Sequence, residues 1–127
     1  MKTYIKEITT MILLLILIGC NTQNQNHEEV IRGNIMKYLS AIESGDINEI
    51  VKYSDDIRFP DKNEQRLEYE KIQDDISDTS IEKLEKISDT EYQVTIKYKQ
   101  DKGQLTEIKF PVVKKEDGWR ILVGRDN

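Results

Sequence analysis

From His27 to Ser44 the apolar positions Val30, Ile31, Ile35, Tyr38, Leu39 and Ile42 recur mostly at steps of three and four residues, the spacing that gathers side chains on one buried face of an α-helix. A first helix is expected there. Gly33 falls inside it, and because glycine costs about 1 kcal/mol relative to alanine in a helix interior, its presence is read as a place where another element comes close. Ser44-Gly45-Asp46 then ends one helix and opens the next. Gly45 suits the left-handed position after a helix, and Asp46 and Glu49 have the spacing of an N-cap and its third helical residue. Ile47, Ile50 and Val51 supply the apolar side of this short second helix. Asp55 to Asn63, with Pro60 and several carboxylates, has the composition of a loop. A third helix is expected from Glu64 to Ile76, with Leu67, Ile72 and Ile76 as its apolar positions. Ile81, Leu84 and Ile87 fit a helical turn or a strand, and the strand is the reading adopted.

The last third alternates instead. Tyr92, Val94, Ile96 and Tyr98 are separated by polar residues, as are Ile108, Phe110 and Val112, and then Trp119, Ile121 and Val123. Period-two patterning of this kind marks half-buried strands. Turn-forming stretches at Asp101-Lys102-Gly103 and at Lys114 to Gly118 separate the three runs, so they should form an antiparallel meander. Pro111 lacks an N–H and belongs at an edge, a bulge or an outward-facing position. Helices in the first half and strands in the second predict an α+β domain, with the N-terminal helices packed on one face of a curved antiparallel sheet.

Ahead of this domain, Met11 to Ile18 is an unbroken apolar run preceded by Lys2 and Lys6. That run is shorter than the ~20 residues a helix needs to span a bilayer and has the length of a signal peptide. It ends Leu17-Ile18-Gly19-Cys20, which resembles the lipobox of bacterial lipoproteins. The resemblance implies cleavage before Cys20, with Leu17, Ile18 and Gly19 read by the signal peptidase, and a covalent diacylglycerol on the Cys20 thiol. An N-acyl chain on the new N-terminus is the further modification it allows, and two or three acyl chains anchor stably. The competing reading is an uncleaved transmembrane anchor with an incidental cysteine. Asn21 to Asn26 is wholly polar and reads as a flexible tether. The expected division is therefore 1–19 leader, 20–27 lipidated cysteine and tether, and 28–127 one domain.

Composition narrows the function. The chain of 127 residues carries net charge −5, and the leader holds Lys2 and Lys6 against Glu7, so the exported part is more acidic still. That disfavours nucleic acid and docking by a polybasic patch on anionic lipid. With a single cysteine the domain has no internal disulfide and relies on packing. The only histidine, His27, sits at the edge of the tether and reads as solvated. Asp74-Asp75-Ile76-Ser77-Asp78 lacks the glycine and closing glutamate of a calcium loop and reads as a solvated helix end. No phosphate loop, nucleophile elbow or zinc cluster is present in the sequence, so no metal and no cofactor beyond the covalent lipid is expected.

The run Tyr38-Leu39-Ser40-Ala41-Ile42-Glu43-Ser44-Gly45-Asp46 leading to Tyr53-Ser54-Asp55, with the closing Gly118-Trp119-Arg120-Ile121, resembles small lipoproteins with a nuclear-transport-factor-2-like fold. Enzymes of that fold place a carboxylate or histidine base and a tyrosine donor inside a cone. By that likeness Asp55 or Asp56 could serve as base, and Tyr38, Tyr53, Tyr69, Tyr92 or Tyr98 as donor, but no spacing selects a pair and core or rim tyrosine is the better reading. A catalytic role is not expected. Tyr38, Tyr53, Tyr98 and Trp119 are the candidate pocket residues. The expected function is a noncatalytic module, lipid-anchored on the outer face of a Gram-positive membrane, that binds an envelope protein, in the manner of an exclusion or immunity factor of a mobile element. A carrier or sensor of a small apolar ligand is the alternative, and pairing of two copies through the sheet face is a further expectation from the resemblance.

Overall fold

The structure, a computed structural model, describes residues 26–72, 74–101 and 103–125. Leu17, Ile18, Gly19 and Cys20, with most of the expected tether, lie outside the described residues. Compactness divides the chain between Arg32 and Gly33, inside the first helix, α1 (26–44). The described part of the first unit is helical from Asn26, so Asn26 and His27 are helix rather than tether. Arg32 and Glu28 pair across one turn at 3.1 Å, and Val30, expected to face inward, is exposed.

In the second unit α1 buries Ile35, Tyr38 and Leu39, three of the positions the helical spacing assigned inward. Gly33 differs from expectation: a Cβ there would meet nothing within 4 Å. No close approach requires the glycine, so Gly33→Ala should raise stability by about 0.5–1 kcal/mol, read from the urea midpoint. Helix α2 (Ile47–Tyr53) starts as the capping pattern indicated, with the Asp46 carboxylate accepting the Glu49 N–H at 3.2 Å after Gly45 at φ 72°.

Two expectations for the middle of the chain are overturned. Ser54–Asp56 is a strand, β1, where a loop was expected from Asp55. Helix α3 runs only over Lys62–Tyr69, capped by Asp61, and stops well before Ile76. Its buried residues are Gln65 and Tyr69, while Leu67 and the following Ile72 are exposed. The inward face of α3 is polar because it meets polar atoms. Gln65 Nε2 donates to Ser54 Oγ at 3.1 Å, and Ser54 Oγ donates to the Ile50 carbonyl at 2.6 Å. Lys62 Nζ donates to the carbonyls of Val51 and Ser54 and to Asp55. These bonds tie α2, β1 and α3 together through side chains that a hydropathy pattern counts as solvent-facing.

The remaining strands are β2 (Ile76–Ser88), β3 (Glu91–Gln100), β4 (Leu105–Lys115) and β5 (Gly118–Val123), so Ile81 to Ile87 is strand, as adopted. One sheet has the order β1-β5-β4-β3-β2, antiparallel throughout except that β1 runs parallel to β5. The inward residues follow the period-two pattern: Tyr92, Val94, Ile96, Val112, Trp119 and Ile121 are all buried. Pro111 pairs opposite Gln93 in the β3–β4 ladder, whereas the β4–β5 ladder begins only at Val112↔Ile121. The missing N–H therefore falls just past the end of the β4–β5 pairing. Three register shifts interrupt β2 against β3, the first between Ser77 and Ser80, where Asp78 takes φ 52°. That bulge frees the Thr79 N–H and Oγ1, and both donate to Glu43 Oε1 at 2.8 Å, tying the end of α1 to the edge strand.

Candidate functional site

Two adjoining cavities open between the helices and the sheet. One of about 150 Å³ is lined by Leu39, Thr79, Ile96, Tyr98, Ile108 and Phe110 among others. The second, about 270 Å³, is bounded by Ile47, Ile50, Arg58, Tyr69 and Ile72 among others. Tyr38, Ile42, Asp74 and Ile76 line both. The walls come from the inward-facing residues of β2, β3 and β4 and from the last turns of α1, so the same alternation that builds the core also leaves an apolar hollow at its end.

At the inner wall of the larger cavity sits a buried polar cluster. Asp56 is 2% exposed. Its carboxylate accepts from Arg58 Nε at 3.0 Å, from the second guanidinium arm at 2.7 Å, from the Arg58 backbone N–H at 3.0 Å and from the Tyr69 hydroxyl at 2.6 Å. Burial by itself raises a carboxyl pKa, but the hydrogen bonds from Arg58 and Tyr69 outweigh it and hold Asp56 below its ordinary value. Tyr69 is pushed up by burial and by donating to Asp56. Arg58 is raised by the same pairing. Tyr38 is raised chiefly by burial, with the charges of Tyr69 and Asp56 adding to it. At neutral pH the cluster thus holds one carboxylate, one guanidinium and two protonated phenols.

The Tyr38 phenol differs from that of Tyr69. It makes no hydrogen bond among the described residues, and no buried side-chain polar atom lacks a partner, so its hydroxyl reaches the hollow space rather than packing dry. Tyr98 lines the smaller cavity. Tyr53 and Trp119 are not brought to either one. Tyr53 is buried with the ammonium groups of Lys52 and Lys37 at 5.2 and 5.7 Å from its ring. Trp119 is a core anchor, edge-on to Tyr92 at 5.5 Å, its carbonyl accepting from Asn34. Asp55, weighed with Asp56 as a base, is bound by Lys62 at the surface. Arg58 was not singled out by the sequence, and Asp74 was read there as part of a solvated helix end; in the structure it precedes β2 and lines both cavities. Arg58 stands two residues from its partner Asp56, but nothing in the local pattern marks Asp56 as buried, and Asp74 reaches the cavities only through the fold.

No protein-family model matches the sequence, and no curated protein matches it. Among solved structures the chain is similar to a ketosteroid isomerase-like protein from Erwinia carotovora atroseptica SCRI1043, with 18% identity and a TM-score of 0.52 over 73% of this chain and 88% of that one. The fold is ketosteroid isomerase-like, of the nuclear-transport-factor-2 type. At that identity the likeness concerns the fold alone. Within the domain, the cavities occupy the end of the sheet where α1, α2 and β2 converge. Among the described residues no group of His, Cys, Asp and Glu is placed to hold a metal ion, and no helix is long and apolar enough to cross a membrane.

Proposed function

We propose that this domain is a noncatalytic binding module, held at the outer face of a membrane through lipid on Cys20, that takes a small and mainly apolar molecule into the paired cavities beside Tyr38. The observation that carries this reading is the state of the cluster at the cavity wall. A general base works best when its pKa lies near the operating pH, whereas Arg58 and Tyr69 hold Asp56 low and occupy its oxygens. What faces the cavity, besides Asp74 and the Asp56-paired Arg58, is apolar surface, Tyr98 and a protonated phenol at Tyr38 with hydrogen-bonding capacity to spare. Such a mixture orients a ligand and does little to transform it.

Contact with one envelope protein is the second reading, favoured by Ile57, Leu67 and Ile72, three large apolar side chains exposed on and near α3. The outer sheet face is less suited to protein contact or to self-pairing, because Lys83 pairs with Glu85 at 2.8 Å and Lys97 with Glu82 at 3.4 Å. Native mass spectrometry of the full-length chain, extracted from a Gram-positive host, separates these readings. The expected spectrum shows a covalent lipid mass that Cys20→Ala removes, and a noncovalent small-molecule mass that Ile42→Trp removes by filling both cavities while the circular dichroism is kept. A protein partner retained in Ile42→Trp, with no small molecule in either form, would move the function to the α3 surface.

A further inference from the structure

The charge of the cavity walls is set by one residue. Arg58 and Asp74 are the only formally charged side chains that line the two cavities among the described residues. The guanidinium of Arg58 is neutralised by the two bonds it makes to Asp56. Asp74 has no such partner: among the described residues it makes no ion pair or hydrogen bond, and it stands where the cavities meet. Tyr38, 5% exposed, lines both cavities with it and carries the unpartnered hydroxyl. Tyr98 and Phe110 present aromatic surface in the smaller cavity. Just outside, the Glu43 carboxylate accepts both bonds of Thr79, itself a lining residue, and adds negative potential beside the same wall. An exposed carboxylate at the rim where the cavities meet, a hydroxyl able to accept and aromatic faces in the apolar hollow behind it together favour an ammonium group.

We infer that the cavity selects small amphiphiles bearing a single ammonium group, their hydrocarbon in the apolar lobes and their nitrogen between the Asp74 carboxylate and the Tyr38 hydroxyl. This rests on the reading of the cavities as a ligand site, and the test separates the two. Hexylammonium, 1-hexanol and hexanoate share one chain and differ in charge. Their binding at pH 7 is measured by calorimetry on the full-length chain in lipid nanodiscs, with empty nanodiscs subtracted. Hexylammonium should bind about five- to tenfold tighter than hexanol, the combined effect of a partly exposed ion pair and a cation–π contact, and hexanoate weakest. Asp74→Asn should erase that ratio and leave hexanol affinity unchanged. Equal binding of all three would overturn the charge selection and leave the ligand site standing. Hexanoate binding tightest would overturn it in favour of Arg58. Binding of none of them would overturn both readings.

Discussion

Arg58→Met should destabilise the domain by about 2–3 kcal/mol at pH 7, part of that loss should disappear by about pH 4.5, and the rest should follow only as pH falls through the lowered native value of Asp56. Removing one partner of a buried ion pair leaves the other charge uncompensated, which typically costs ~3–5 kcal/mol. The lower figure applies here because the Arg58 side chain is 58% exposed and only the Asp56 carboxylate is fully buried. In the native protein the Asp56 pKa is lowered, so its contribution is complete above the unfolded carboxylate value of ~3.9 and is lost only as pH falls through the lower folded value. In Arg58→Met the guanidinium no longer opposes burial, so the folded pKa rises above the unfolded one. The charged form is then the unfavourable one, and stability relative to wild type recovers as acid protonates Asp56. Urea unfolding of both proteins at pH 7 and pH 4.5 reads the difference directly. A loss of equal size at both pH values would show that the packing of the Arg58 stem matters and the charge does not.

Trp119→Ala should cost about 3–5 kcal/mol, the range for truncating a buried aromatic. For a domain of this size that lowers the midpoint of thermal unfolding by roughly 15–25 °C. Trp119 is 4% exposed, stands edge-on to Tyr92 at 87° between ring planes, and its backbone carbonyl receives the Asn34 amide. It therefore joins β5 to β3 and to α1 at one point in the core. Trp119→Phe keeps an aromatic edge for Tyr92 and should recover more than half of the loss. Ligand binding should be unchanged in Trp119→Phe, because Trp119 lines neither cavity. A variant that stays folded yet loses ligand would place the residue in the site after all.

The cluster and the cavity obey different rules of legibility. Strands β3, β4 and β5 are plain in the sequence because each has one face on the core and one in water, so burial is written as alternation. Helices α1 and α2 are legible for the same reason at period 3.6, with the Gly45-Asp46 junction marking their boundary chemically. Tyr38 and Tyr98 could be named as pocket residues because they lie on those patterned faces near the end of the sheet. Tyr53 and Trp119 lie on patterned faces too, and packing took them into the core instead.

What the chain order and residue pattern determined by themselves is the α+β arrangement, the position of the helix junction and the strand content of the last third. Hydrophobic burial is a property of each residue and repeats with the local geometry, so it can be read locally. The tertiary structure alone decided that Ser54–Asp56 is a strand, that α3 ends at Tyr69 with a polar buried face, and that Asp56, Arg58, Tyr69 and Tyr38 meet at one wall. Strand β1 has no alternation to announce it; it forms on the edge of β5 that faces away from β4, where Ser54 pairs with Ile121 while Ile121 also pairs with Val112. Asp56 can be buried only because Arg58 and Tyr69 satisfy it. A polar side chain is buried when its partners arrive, and Tyr69 reaches Asp56 from another element of the fold.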